Sequence, residues 1–184
     1  MLDILKGFLP WILFFVLMGS NQTQMDIAII TAAITAVFLE IEFLKKGFIL
    51  SWGTLIFFLF MTITVVIFRM DAIIQYASVL SHAVLASIAA VSLLVRKPFT
   101  IQYAKLEVDK VKWETLVFIR INYILTTIWL IIFLIGLVLS IVSLNVPSLD
   151  NWVFNAVTYL PSICGIWITS WFPGWYRSKG MSRG

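Results

Sequence analysis

Charge is what this chain has least of. Of its 184 residues, 12% are Asp, Glu, Lys or Arg while 61% are hydrophobic, and the mean hydropathy is +1.03. A soluble domain carries about 25% charged residues, so roughly half the charge needed to wet a globular surface is missing, and a water-soluble fold is excluded. Cysteine is nearly absent. The single Cys164 cannot close an intrachain disulfide, and with one histidine, His82, there is no CxxC or Cys/His spacing to hold zinc. No nucleophile–base pair, HExxH, phosphate loop or glycine-rich cradle occurs. The residues therefore assign no catalytic, cofactor-binding or metal-ligating group, and the chain is read as a non-enzyme. The formal net charge of +4 does not point to nucleic acid, because in so apolar a chain basic residues set membrane orientation and touch anionic headgroups.

What is present is a series of long apolar runs, which predict an all-α integral membrane protein, one transmembrane domain over 1–184. Spans are expected at about 8–19, 27–44, 48–68, 72–95, 117–142 and 152–172, giving a bundle of six helices, or five if the first is cleaved or re-entrant. The first run is as short as a signal-peptide core, but Leu17 and Met18 stand where a cleavage site wants small residues and Asp3 weakens the basic leader, so an uncleaved span is favoured. In the second, Ala28, Ala32 and Ala36 recur every four residues, the pattern that lets helix backbones approach closely in lipid. The fifth, at 26 residues, is longer than a hydrocarbon core of about 30 Å needs and implies tilt or an interfacial end. The sixth contains Pro161, expected to kink it, and is flanked by Trp171 and Trp175 as interfacial anchors.

Six spans put both termini on one side, with Lys6, Lys45, Lys46, Arg96, Lys97, Lys105, Lys110, Lys112, Arg120, Arg177, Lys179 and Arg183, and leave Arg69 alone on the other. That bias predicts cytoplasmic termini. The outer turns are short, so recognition by loops falls to the cytoplasmic loop 96–114, whose pattern assigns it no regular conformation. Its Arg96, Lys97, Lys105, Lys110 and Lys112 are candidates for contact with a partner or with anionic lipid.

Few polar groups lie in the spans. His82, in the fourth, reads as a neutral imidazole hydrogen-bonded between helices, with Ser78 or Ser81 as neighbours, in preference to a proton relay, because no carboxylate lies at its depth. Glu40, Glu42, Arg120 and Asn122 share a depth near the cytoplasmic boundary. One glutamate is expected to pair with Arg120 while the other, about 200° away around the helix, snorkels; the alternative is a cation or substrate site. Asn155 and Thr158 near Pro161 are read as part of a simple proline kink rather than an opened backbone.

Phe8, Leu9 and Pro10 followed by Phe14 and Phe15; Lys97 and Pro98 closing a span; Trp113 before the next; Asn122 at its entrance; Trp129, Phe133 and Gly136 within it; and then Trp152, Phe154 and Asn155 form an ordered series over nearly the whole chain. In that order the chain resembles the bacterial intracellular septation protein A family of small polytopic inner-membrane proteins; the stretch Phe99 to Ala104 departs from the family's Leu-Gly ending. The resemblance implies a role in cell-envelope maintenance or septation through other envelope or division membrane proteins in the bacterial inner membrane, and implies no catalytic residues. The expectation is a non-enzymatic scaffold that works in the lipid bilayer, with homo-oligomerisation left open. The alternative is a small transporter or channel with a polar path through His82 and the Glu40, Glu42, Arg120 group.

Overall fold

The computed structural model describes residues 2–19, 21–145 and 151–181, with side chains described for all of these except 2, 151–162, 180 and 181. The described residues are mostly helical, without a strand: α1 (Leu2–Leu17), α2 (Gln22–Phe38), the short α3 (Ile41–Lys45), α4 (Ile49–Met61), α5 (Ala77–Leu94), α6 (Phe99–Glu107), α7 (Leu116–Asn145) and α8 (Asn151–Met181). Lipid offers the backbone no hydrogen-bonding partner, so an apolar run must satisfy itself by coiling. Three helical segments, Ile49–Ile67, Asp71–Leu94 and Leu116–Asn145, are long and apolar enough to cross a membrane, and α2 is a shorter apolar helix. Their outer faces carry Ile56, Phe60, Val91, Ile131, Ile135 and Val138, all exposed. Such surface is stable against lipid and not against water. This is a helical membrane protein.

The second apolar run does not continue to residue 44. Asn21 caps α2 by accepting from the Gln24 amide at 2.8 Å, but the helix stops at Phe38 and the chain turns at Leu39 and Glu40 before α3. Gly47, at φ +72°, then closes the turn into α4 in a conformation glycine adopts without strain. The third run is an α-helix that loosens into a π-helical turn over Thr62–Ile67. The sixth run's helix passes through Pro161 without a break and extends to Met181, while the side chains of Asn155 and Thr158 lie outside the described residues.

α1 packs against α2, α4 and α6. Ile4, Phe8, Trp11 and Phe14, spaced three and four apart, are all buried; Phe8 stacks on Trp129 of α7 at 4.5 Å and Trp11 on Phe57 of α4 at 5.0 Å. The Trp11 indole donates to the Thr54 hydroxyl at 2.7 Å, so even the polar edge of the ring is satisfied. α2 lays Ala28, Ala32 and Ala36, each with no exposed surface, into the interior. α5 packs on α7, and α7 on α8.

The described connections alternate between two ends. At one end Arg69 pairs with Asp26, and Gln22 donates to the same carboxylate at 2.7 Å, tying the start of α2 to the α4–α5 connection. At the other end α3, α6, the start of α1 and the start of α7 gather.

Candidate functional site

The loop 96–114 contains a docked helix, α6. Arg96, at φ +57°, turns the chain back at the end of α5, and Pro98 opens α6. Phe99 and Thr100 lie about one turn before Tyr103, and all three are buried. Phe99 meets Phe8 edge-on at 6.0 Å, and its amide donates to the Ser92 hydroxyl at 3.2 Å. Thr100 donates to the Asn122 carbonyl at 2.9 Å and lies 2.9 Å from the Thr126 hydroxyl, which fastens α6 to α7. Tyr103 stands edge-on to Phe43 and Phe48, its hydroxyl 3.2 Å from that of Ser51. That hydroxyl occupies the space where Gly7 lacks a side chain: a Cβ there would come within 2.3 Å. Gln102 accepts from the Ile49 amide at 2.9 Å.

Between α6, the start of α7 and the end of α8 lies a cleft of about 350 Å³. Ile4, Val108, Phe118, Ile121 and Leu125 make its apolar walls, Thr100, Asn122 and Thr169 its polar floor, and Glu107, Lys112 and Arg177 reach its edge. The arrangement is amphipathic, and it suits a group with an apolar body and a polar end. Of the five basic candidates in the loop, Lys112 lines this cleft; Arg96, Lys97 and Lys110 are exposed elsewhere on the same segment, and the Lys105 ammonium sits 5.0 Å over the Trp113 ring.

The polar candidates in the helices are not brought together. His82 stacks on Phe15 at 5.3 Å, with Nδ1 2.9 Å from the Ser78 carbonyl and 3.2 Å from the Ser140 hydroxyl of α7. Ser140 also lies 2.8 Å from the Ser78 hydroxyl and donates to the Gly136 carbonyl at 2.8 Å. This network joins α5 to α7. Asn122 is buried and donates to the Phe118 carbonyl at 2.9 Å.

The ion pair expected of Arg120 is not formed among the described residues. Arg120 is exposed, as is Glu42, whereas Glu40 is fully buried and neither of its carboxylate oxygens has a hydrogen-bond partner. The end of α2 at Phe38 is the reason: it turns Glu40 inward, toward α4, instead of leaving it on a helix face beside α7. In this turn, outside the membrane-crossing helices, burial pushes the Glu40 carboxyl up to about 8, against the weaker opposing pull of the Ser51 hydroxyl, which stands close by without forming a hydrogen bond to it. Burial likewise raises the Tyr103 phenol. On the surface beside them, Lys6 pairs with Asp3 at 2.9 Å, and that bond raises the lysine.

Among the described residues no three His, Cys, Asp or Glu side chains converge on a position that could hold a metal. Comparison with protein-family models, with curated proteins and with solved structures returned no match.

Sequence reasoning singled out the loop's charges and missed its buried side. The signal was the grouping of Phe99 and Tyr103, which a docked helix needs; Thr100 between them was not separable from a solvated threonine. Thr169 and Arg177 complete the cleft from α8; the sequence marks Arg177 only as a basic residue of the same side, and nothing in it links either residue to α6, which is far away in the chain.

Proposed function

We propose that this protein is a non-catalytic, multi-pass protein of a bacterial inner membrane, with six spans and both termini cytoplasmic, that supports envelope maintenance or septation by holding another membrane component. The observation that carries this reading is the cleft beside α6. A loop that served only to join two spans would have no need to bury Phe99, Thr100 and Tyr103, whereas a recognition surface needs a rigid support. The cleft opens at the end of the bundle that gathers the basic residues, which under the positive-inside bias is the cytoplasmic end. Its apolar walls, with Lys112 and Arg177 outnumbering Glu107 at the edge, fit a partner segment that is apolar with an acidic flank. The envelope role rests on the ordered resemblance from Phe8 to Asn155.

A transporter is the second reading, favoured by the buried, unpartnered Glu40. Against it, His82 is engaged with Ser78, Ser140 and Phe15, and Arg120 is exposed, so the residues of the suggested path do not share one.

A photo-crosslinking side chain at Thr115 or Val108, both lining the cleft, should give adducts with an envelope or division protein in native membranes. Neutralising Lys105, Lys110 and Lys112 together should abolish the adduct and leave insertion intact. A solute or proton current from purified protein in liposomes, lost on replacing His82 or Glu40 and unaffected by the loop variant, would overturn the scaffold.

A further inference from the structure

Glu40 is the one acidic side chain among the described residues that is fully buried, and both its carboxylate oxygens are without hydrogen-bond partners. A carboxylate removed from water without compensation is costly, and such a group takes up a proton instead. Among the described residues, the elements around it bring no cation. α4 presents Ser51 and α6 presents Tyr103, whose hydroxyls lie 3.2 Å apart. On α1, Asp3 and Lys6 are engaged with each other at the surface. On α3, Glu42 and Lys45 are exposed, and on α6 Lys105 lies over the Trp113 ring.

We propose that Glu40 is a proton-binding site, and that its bound proton holds α6 against α3 and α4. The connection is short. The turn that starts at Glu40 leads directly to Phe43 and Phe48, between which Tyr103 is wedged, and to Gly47 and Ile49, which hydrogen-bond Gln102 of α6. When the proton leaves, the carboxylate must reach water. The turn and α6 must then part, and α6 is the wall of the cleft, so the cleft's shape follows the proton. The site itself does not depend on what the cleft holds.

The native state keeps a proton that the unfolded chain releases as pH rises above about 4.5, so its stability is greatest below that value and declines until the site empties near about 8. The full chain in zwitterionic lipid nanodiscs should show a protonated-carboxyl infrared band at pH 6 that disappears by pH 9 and is missing in Glu40→Gln. Over the same range the melting temperature of the wild type should fall by about 5 °C or more, and amide exchange in α6, corrected for intrinsic rate, should rise; in Glu40→Gln both should stay level. If Glu40→Gln does not fold, Ser51→Ala removes a hydroxyl that favours the ionised form and should move the band's midpoint to higher pH. A band absent at pH 6, an unmoved midpoint in Ser51→Ala, or unchanged pH dependence in Glu40→Gln would overturn the proposal. So would stabilisation at fixed pH by sodium chloride and not by choline chloride, which would assign the site to a metal cation.

Discussion

Gly136→Ala tests the close approach of α5 and α7. A Cβ at Gly136 would stand 2.2 Å from His82 Cδ2 and 2.5 Å from Nε2, well inside contact distance, so the imidazole must move or α5 and α7 must separate. The ring has little freedom, since Phe15 stacks on one face and Nδ1 is fixed by the Ser78 carbonyl and the Ser140 hydroxyl. Overpacking a tight contact costs about 1–3 kcal/mol, and hydrogen bonds between membrane helices average about 0.6 kcal/mol each. Losing both contacts of Nδ1 therefore brings the expected cost to roughly 2–4 kcal/mol. Reversible unfolding in mixed micelles would measure it. Because the clash is with the imidazole, Gly136→Ala should add little in a His82→Ala background, with a coupling of about 1.5 kcal/mol or more in the double-mutant cycle. Additive losses, or a Gly136→Ala protein as stable as the wild type, would refute the packing described for α5 and α7. Normal stability with lost partner binding in His82→Asn would return the histidine to a functional role.

Two other substitutions probe the centre and the edge of the bundle. Trp11→Phe keeps the ring packing of α1 but removes the indole N–H that donates to Thr54 at 2.7 Å; it should cost about 1–2 kcal/mol, and the cost should shrink in a Thr54→Val background, whereas equal costs in both would deny the bond. Arg120→Ala should change stability by no more than about 0.5 kcal/mol, because the side chain is exposed and Glu40 does not meet it; a larger loss that couples to Glu40 or Glu42 would restore the ion pair.

Membrane character and the positions of the long helices are properties of local sequence. A run such as 117–142 must coil wherever it is in lipid, and α7 covers it from Leu116 to Asn145. The alanine stripe of α2 is likewise local, and its Ala28, Ala32 and Ala36 are buried as small residues at a helix contact are. Partner choice is different in kind. His82 meets Ser140, 58 residues away, Tyr103 meets Ser51, and Trp11 meets Thr54, because these contacts depend on which helices become neighbours and on their rotation. The periodicity of a single helix does not specify either. Glu40 shows the limit most clearly. Depth along a continuous second span placed it beside Arg120; a two-residue turn after Phe38, forced by no proline or glycine, instead directed it inward. The docking of α6 was equally tertiary, since nine residues of mixed character form a stable helix only when Phe99 and Tyr103 find Phe8, Phe43 and Phe48 to bury against.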